Sequence, residues 1–300
     1  MMNWLKSLKG KVRFEEPLKK HTTFKIGGPA EFFVEPRDSK DLRQAVSLAK
    51  NNDIPIFLLG AGSNILVSDE GIEGIVLRLN SSYFRKISKK NNFLEVGSGL
   101  LLGQLMQHAA EYSLSGIEFL AGIPGTVGGA LAMNAGAWGK NIGNIVEKVT
   151  VMDYTGNIKI LSKKNIKFDY RKSSLAKYII LSCRIRFVKK NKEEIKDSMR
   201  KYIKLRQSSQ ENSYSNAGCI FKNPTGRTGR PACTAGRLID LCSLKNKRIG
   251  GACVSGKHAN FIINRMNAKA GDVLKLMNLI ETKVKQKFNI NLEPEIKIWK

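Results

Sequence analysis

Histidine and cysteine are scarce in this 300-residue chain. The three histidines, His21, His108 and His258, lie far apart, and the five cysteines include no C-x-x-C pair. An odd set of thiols at irregular spacing supplies neither a zinc site nor a disulfide framework, so no metal is expected. The thiols read as small buried side chains, with Cys219 set apart below. No stretch approaches the roughly 18–20 apolar residues that a membrane-spanning helix needs. Met1 to Glu16 is basic but lacks a sustained apolar segment and a small-residue cleavage site. That predicts no signal peptide and a cytoplasmic protein. Internal repeats and low-complexity tracts are absent.

Acidic residues are also few, 25 against 51 Lys and Arg, which leaves a net charge of +26. Such a balance invites a nucleic-acid reading, but the lysines are spread over nearly every segment. A binding stripe would concentrate Arg and Lys with interleaved aromatics. Doublets such as Lys19-Lys20, Lys89-Lys90, Lys163-Lys164 and Lys189-Lys190 border turns and read as a solvated surface. The field still draws phosphorylated small molecules. A basic RNA-associated protein stays open as the alternative from a different class.

The chain is 42% hydrophobic, enough for substantial cores, and its length suits two or three lobes. Asp38 or Ser39 can cap a helix with Leu42, Ala45, Val46 and Ala49 on one face. Strands are predicted at Ile54 to Leu59, Ile65 to Val67, Ile75 to Leu79 and Phe93 to Val96. An amphipathic helix follows around Leu101, Leu105, Ala109 and Tyr112. Val149 to Tyr154 and Asn157 to Leu161 form a hairpin turning at Thr155-Gly156, and Tyr178 to Phe187 is a long strand. Lys189 to Gln207 is a charged helix, Gln207 to Asn216 a loop, and about Ala270 to Phe288 a second long helix. Hairpins mixed with isolated helices indicate an α+β fold, with the main boundary near residue 190.

Two loops are rich in glycine. Gly60-Ala61-Gly62-Ser63-Asn64 ends a strand, yet Ile65 occupies the third glycine position of a dinucleotide fingerprint and strand continues after it. Taken alone it reads more readily as a tight turn. Gly122 to Gly129 adds four glycines and Pro124 ahead of small residues. Glycine backbones can approach a pyrophosphate closely, and two such loops together favour a bound dinucleotide.

Motifs in order along the chain carry a resemblance. They are HTTFKIGGPAEFF (His21 to Phe33), LGAGSNILVSDEGIEGIVLRL (Leu59 to Leu79) and FLAGIPGTVGGALAMNAGAWG (Phe119 to Gly139), then YRKSSL (Tyr170 to Leu175) and NAGCIFKNP (Asn216 to Pro224). AGRLIDLCSLKNKRIGGACVSGKHANFIIN (Ala235 to Asn264) and LEPEIKIW (Leu292 to Trp299) complete the series. Over about Lys20 to Trp299 the chain resembles the UDP-N-acetylenolpyruvoylglucosamine reductase (MurB) family, in its shorter subtype.

The resemblance implies an FAD-binding fold of the vanillyl-alcohol-oxidase (PCMH) type in two α+β subdomains, plus a C-terminal α+β substrate-binding lobe. The implied division is a lead segment 1–20, an FAD-binding domain 21–190 split near residue 80, and a substrate-binding domain 191–300. It implies non-covalent FAD, NADPH as co-substrate, and reduction of UDP-N-acetylglucosamine enolpyruvate to UDP-N-acetylmuramate for peptidoglycan synthesis. A monomer with no nucleic-acid partner and no membrane insertion is expected. The rival within the fold is a flavin oxidoreductase acting on another substrate.

Hydride addition to C3 of an enol ether places negative charge at C2 and in the adjoining carboxylate. That calls for a cation at the carboxylate and a proton source at C2. By the resemblance, Arg171 binds the carboxylate with its planar fork and Glu295 is the catalytic glutamate, read as protonated beside the substrate carboxylate. Cys219 stands where most family members carry the serine proton donor. A free thiol, with a pKa of about 8.5, is a stronger acid than a hydroxyl. Cys219 is therefore read as the donor, with a packed thiol and protonation by water as the alternative. Gly60, Gly62, Ser63 and Asn64 are implied to meet the FAD pyrophosphate, and Gly122, Pro124, Gly125 and Gly128 to line its far side. Arg206 takes the frame position of a flavin-contacting arginine, although the polar stretch after it departs from the family pattern. Tyr170, Lys222 and Asn223 are implied substrate contacts. Lys257 and His258 could face the UDP phosphates or serve the fold, and Arg237 is ambiguous.

Overall fold

The computed structural model describes Leu5, residues 7–224 and residues 233–300. The chain divides into two compact units. One comprises Met1–Glu15, Glu31–Ala61 and Glu73–Arg206, and the other Glu16–Ala30, Gly62–Ile72 and Gln207–Lys300.

The first unit holds two cores. In one, helix α1 (Ser39–Asn51) lays Leu42, Ala45, Val46 and Ala49 on Phe32, Val34, Ile75 and Leu77. Asp38 starts the helix by accepting from the Lys40 and Asp41 amides at 2.9 and 3.0 Å. The strands beneath run in the order Lys11–Pro17, Pro29–Glu35, Ile72–Arg78, Ile56–Leu59, the last two parallel. The other core sits on a five-stranded sheet in the order Ile158–Ser162, Val146–Met152, Ile179–Arg186, Phe93–Gly97, Ile87–Lys90, antiparallel throughout. The hairpin turn is held by Asp153, whose Oδ1 accepts from the Thr155 and Asn157 amides at 3.0 and 2.9 Å. Helices α2 (Leu102–Glu111) and α3 (Val127–Ala132) bury Leu105, Ala109, Val127 and Leu131 in this core. Met199 and Tyr202 of α4 (Lys192–Ser209) pack against it.

The second unit is a four-stranded sheet in the order Ser215–Cys219, Phe261–Asn264, Ala252–Val254, Arg248–Ile249. Helices α5 (Ala235–Leu241) and α6 (Ala270–Phe288) contribute Leu238, Ile239, Val273, Leu276, Met277, Ile280 and Val284 to its core. Asp69 caps α6 by accepting from the Ala270 and Gly271 amides at 2.9 and 3.2 Å. A separate parallel pair joins Ile65–Val67 to Lys297–Trp299. Among the described residues, no helix is long and apolar enough to cross a membrane.

The sequence predicts a contiguous cut near residue 190, whereas packing divides the chain differently. Met199 and Tyr202 bind α4 to the first unit. Phe24, Ile26 and Leu66 bury their side chains in the second core, so two N-terminal segments belong there. Burial, not chain order, sets the division. The α+β class follows the pattern of elements seen in the sequence. Strands Lys11–Pro17 and Pro29–Glu35 were not legible there.

Candidate active site

In the first unit the two glycine loops meet. Strand Ile56–Leu59 ends at Gly60, where a Cβ would lie 2.8 Å from Thr126 Oγ1. Thr126 is the N-cap of α3 and accepts from the Gly129 amide at 3.2 Å. Gly122 has φ +79°, a left-handed conformation that a side chain adopts only at a cost, and a Cβ there would meet Arg206 Cδ at 3.0 Å. Arg206, 8% exposed, donates from Nε to the Ala121 carbonyl at 2.8 Å and lies 4.7 Å over the Trp138 ring, which packs on Tyr202. The last turn of α4 thus delivers Arg206 to the second glycine loop.

Other amides in that loop serve the fold. Gly128 donates to the Ser98 carbonyl at 2.8 Å and Val127 to Leu100 at 2.9 Å, while the Gly125 carbonyl accepts from Leu102 at 2.9 Å. Gly128 therefore allows close backbone approach to Ser98 and does not offer its N–H to a ligand.

Tyr170 and Arg171 form the two-residue turn of a short hairpin in which Phe168–Asp169 pairs with Lys172–Ser173. Arg171 is left-handed, with φ +56°, an unfavourable state for a side chain of its size. Nη1 donates to the Gly136 carbonyl at 3.0 Å, and its guanidinium lies 5.3 Å from the exposed Tyr170 ring. Ser173 Oγ donates to the Leu131 and Ala132 carbonyls at 2.8 and 3.1 Å, and Asn134 Nδ2 to that of Asp169 at 2.9 Å. These bonds fix the hairpin on the end of α3 and the segment that follows it.

In the second unit Gly62 has φ +65°, and a Cβ there would fall 2.1 Å from the His21 carbonyl oxygen. Thr23 spans this turn. Its amide donates to the Gly62 carbonyl at 3.0 Å and its hydroxyl to that of Asn216 at 2.7 Å. Asn64 Nδ2 donates to the Glu295 carbonyl at 3.2 Å, and the Asn64 carbonyl accepts from Lys297 at 2.9 Å. The first glycine loop is thereby tied to the segment that carries Glu295.

Cys219 ends strand Ser215–Cys219 just after a bulge at left-handed Gly218, φ +78°, and is half-buried. The bulge re-aims the side chains that follow it. The next residues run alongside Glu293–Glu295, with the Glu295 amide donating to Ile220 at 2.7 Å and that of Lys222 to Glu293 at 2.8 Å. Cys219 and Glu295 thus sit on neighbouring extended segments within one unit. Lys222 Nζ is paired with Glu293 Oε2 at 3.1 Å. Asn223 Oδ1 accepts from the Ala235 amide at 2.9 Å, fastening the start of α5.

His258 is a structural residue. Nδ1 accepts from the Asn260 amide at 3.2 Å, the ring packs edge-on against Phe261, and burial holds its pKa below the usual imidazole value. The Lys257 and His258 amides donate to Ser255 Oγ, which itself donates to Glu211 at 2.7 Å. Asn260, 3% exposed, was not read as a site residue. Its side chain accepts from the Phe221 amide at 2.9 Å and donates to the Phe221 carbonyl at 2.8 Å. Thr23, Thr126 and Asn260 stand inside the motifs quoted from the sequence, but their partners are remote along the chain.

The residues present fit FAD. A pyrophosphate needs backbone donors at positions without side chains. In the first glycine loop the amides of Gly62 and Asn64 have no protein acceptor among the described residues. No group of His, Cys, Asp or Glu suited to a metal ion occurs among the described residues.

Comparisons with known proteins agree in extent and kind. Residues 209–299 match the family model of the UDP-N-acetylenolpyruvoylglucosamine reductase C-terminal domain, and residues 30–162 that of an FAD binding domain. The UDP-N-acetylenolpyruvoylglucosamine reductase of Caldanaerobacter subterraneus subsp. tengcongensis is 43% identical over 96% of this chain and 94% of its own. That of Clostridioides difficile is 40% identical over 96% and 93%. The crystal structure of the enzyme from Thermus caldophilus superposes with a TM-score of 0.82 at 36% identity, covering 98% of this chain and 100% of that one. The fold is the FAD-binding fold of the vanillyl-alcohol-oxidase type joined to a C-terminal α+β lobe. On the extent of these matches, the chain belongs to the UDP-N-acetylenolpyruvoylglucosamine reductase family.

Proposed function

We propose that this protein reduces UDP-N-acetylglucosamine enolpyruvate to UDP-N-acetylmuramate, using FAD and NADPH, in peptidoglycan precursor synthesis. The carrying observation is likeness at 43% identity that spans nearly the whole of both chains. It favours neither another flavin-dependent substrate nor an RNA-associated role. FAD binding is assigned mainly to the first unit and substrate binding mainly to the C-terminal segment from Gln207. We read the protein as a cytoplasmic monomer that takes a UDP-sugar and NADPH and no nucleic acid.

FAD, when bound, would supply the redox chemistry that carries a hydride from NADPH to C3 of the enolpyruvyl group. Gly60, Gly62, Ser63 and Asn64 would hold its pyrophosphate, and Gly122, Pro124, Gly125 and Gly128 would shape its far side, Gly128 through compactness. Arg206 acts by bracing Gly122 and Ala121.

Arg171 grips the substrate carboxylate with its planar fork, oriented by Gly136 and Tyr170, and holds it harder as charge builds at C2. Cys219 gives its thiol proton to C2 and regains one from solvent. The double bond is thus saturated by one hydride and one proton while NADPH becomes NADP+. Glu295, protonated beside the carboxylate, donates a hydrogen bond to it. Tyr170, Lys222 and Asn223 meet the remainder of the substrate. Lys222 reaches it by exchanging a partly exposed ion pair, which costs little.

The test is anaerobic. NADPH should bleach the flavin of the purified protein, and UDP-N-acetylglucosamine enolpyruvate should restore its colour without oxygen. Cys219→Ala should keep the bleaching and lose the recovery. Bleaching without recovery in the unmodified protein would overturn the substrate, and normal turnover by Cys219→Ala would overturn the thiol's role.

A further inference from the structure

We propose that Asn260 is the positioning residue that sets the thiol of Cys219 against the segment carrying Glu295; this rests on the reading of Cys219 as proton donor. The strand Phe261–Asn264 pairs with Ser215–Cys219 only as far as Cys219 opposite Phe261. Beyond that point no strand among the described residues continues the ladder on that side of Phe221, a residue with no solvent exposure. Its amide and carbonyl must still be satisfied.

Asn260 completes the ladder with its side chain, accepting from the Phe221 N–H at 2.9 Å and donating to the Phe221 carbonyl at 2.8 Å. Its own carbonyl accepts from the Ile220 N–H, also at 2.9 Å. On the opposite side, the Ile220 carbonyl accepts from the Glu295 amide at 2.7 Å, and Phe221 bridges to Pro294. One residue thereby locks the two that follow Cys219, its side chain holding Phe221 and its backbone carbonyl Ile220, and those two set the register of Glu295.

Asn260 is in turn held from behind. Its amide donates to His258 Nδ1, and Gly236 of α5 lies against both side chains, a Cβ there being 3.0 Å from His258 Cε1 and 3.7 Å from Asn260 Cβ. At this reach a carboxamide offers a donor and an acceptor in one plane, whereas an ionised carboxylate offers acceptors alone. Asp keeps the shape and loses the donor; Gln keeps both groups and displaces the segment by one methylene.

The experiment uses the FAD-loaded Asn260→Asp and Asn260→Gln proteins beside the parent and Cys219→Ala. Thermal unfolding and flavin absorbance establish that each is folded and loaded, Gln being the variant that retains both bonds should Asp fail to fold. Both variants should bleach with NADPH at the parent rate. Recovery on adding the enolpyruvyl substrate should be about 100-fold slower, the loss expected of a donor displaced by ~1 Å. The KM for that substrate should stay unchanged. In D2O the parent should deuterate C2 on one face only, while the variants should give a mixture of faces, a signature that loss of stability alone does not produce. A folded variant that recovers at the parent rate with one-face deuteration overturns the inference if Cys219→Ala is inactive. Normal recovery by Cys219→Ala overturns the donor reading itself.

Discussion

Cys219 carries the chemistry that most distinguishes this chain. A thiol delivers a proton only while it holds one, so the substrate half-reaction should fall away at alkaline pH as thiolate forms. Cys219→Ser should retain much of the activity and lose that alkaline limb, because the hydroxyl does not ionise in the accessible range. Stopped-flow recovery of flavin colour against pH reads the difference, and an identical limb in both proteins would assign it to another group. Cys183 and Cys253 are buried, and burial together with the Glu95 charge drives the Cys183 pKa up, so neither competes as a reagent. Arg171, though placed by a motif, shows its strain only in the fold. Its left-handed turn is a backbone state that sequence spacing does not reveal.

Elements decide how such residues are held. Gly62 is left-handed and packed on the His21 carbonyl, so Gly62→Ala should cost about 1–3 kcal/mol from conformation alone, with further loss from the clash. A lower unfolding temperature together with reduced flavin content would register it, and an unchanged unfolding temperature would deny the close approach. His258 adds a pH dependence. Burial lowers its pKa in the folded protein, so below the ordinary value of about 6.5 the unfolded chain binds the extra proton first. Its contribution is complete above that value and is lost as pH falls through the folded pKa. Denaturant unfolding should show a loss of stability on acidification that is smaller in His258→Gln. Helix α1, its Asp38 cap and the hairpin turn were legible because their signals are local. Strands such as Ser215–Cys219 were not, since a short polar run becomes a strand only when Phe261–Asn264 pairs with it.

Across the whole molecule the excess of 51 basic over 25 acidic side chains acts as a field on anionic substrates. Raising ionic strength should therefore lower kcat/KM for the UDP-sugar and for NADPH while leaving kcat nearly unchanged; a flat salt response would confine the attraction to specific contacts. The sequence by itself determined the α+β class and the family. Each depends on residue types in a fixed local order, and that order survives in the unfolded chain. Tertiary structure alone decided which segments pack together. It drew Phe24, Ile26 and Leu66 into the second core, set Gly60 against Thr126, and gave Asn260 the backbone of Phe221 to hold. Those partners are far apart along the chain, and only burial of apolar surface and satisfaction of buried amides bring them together.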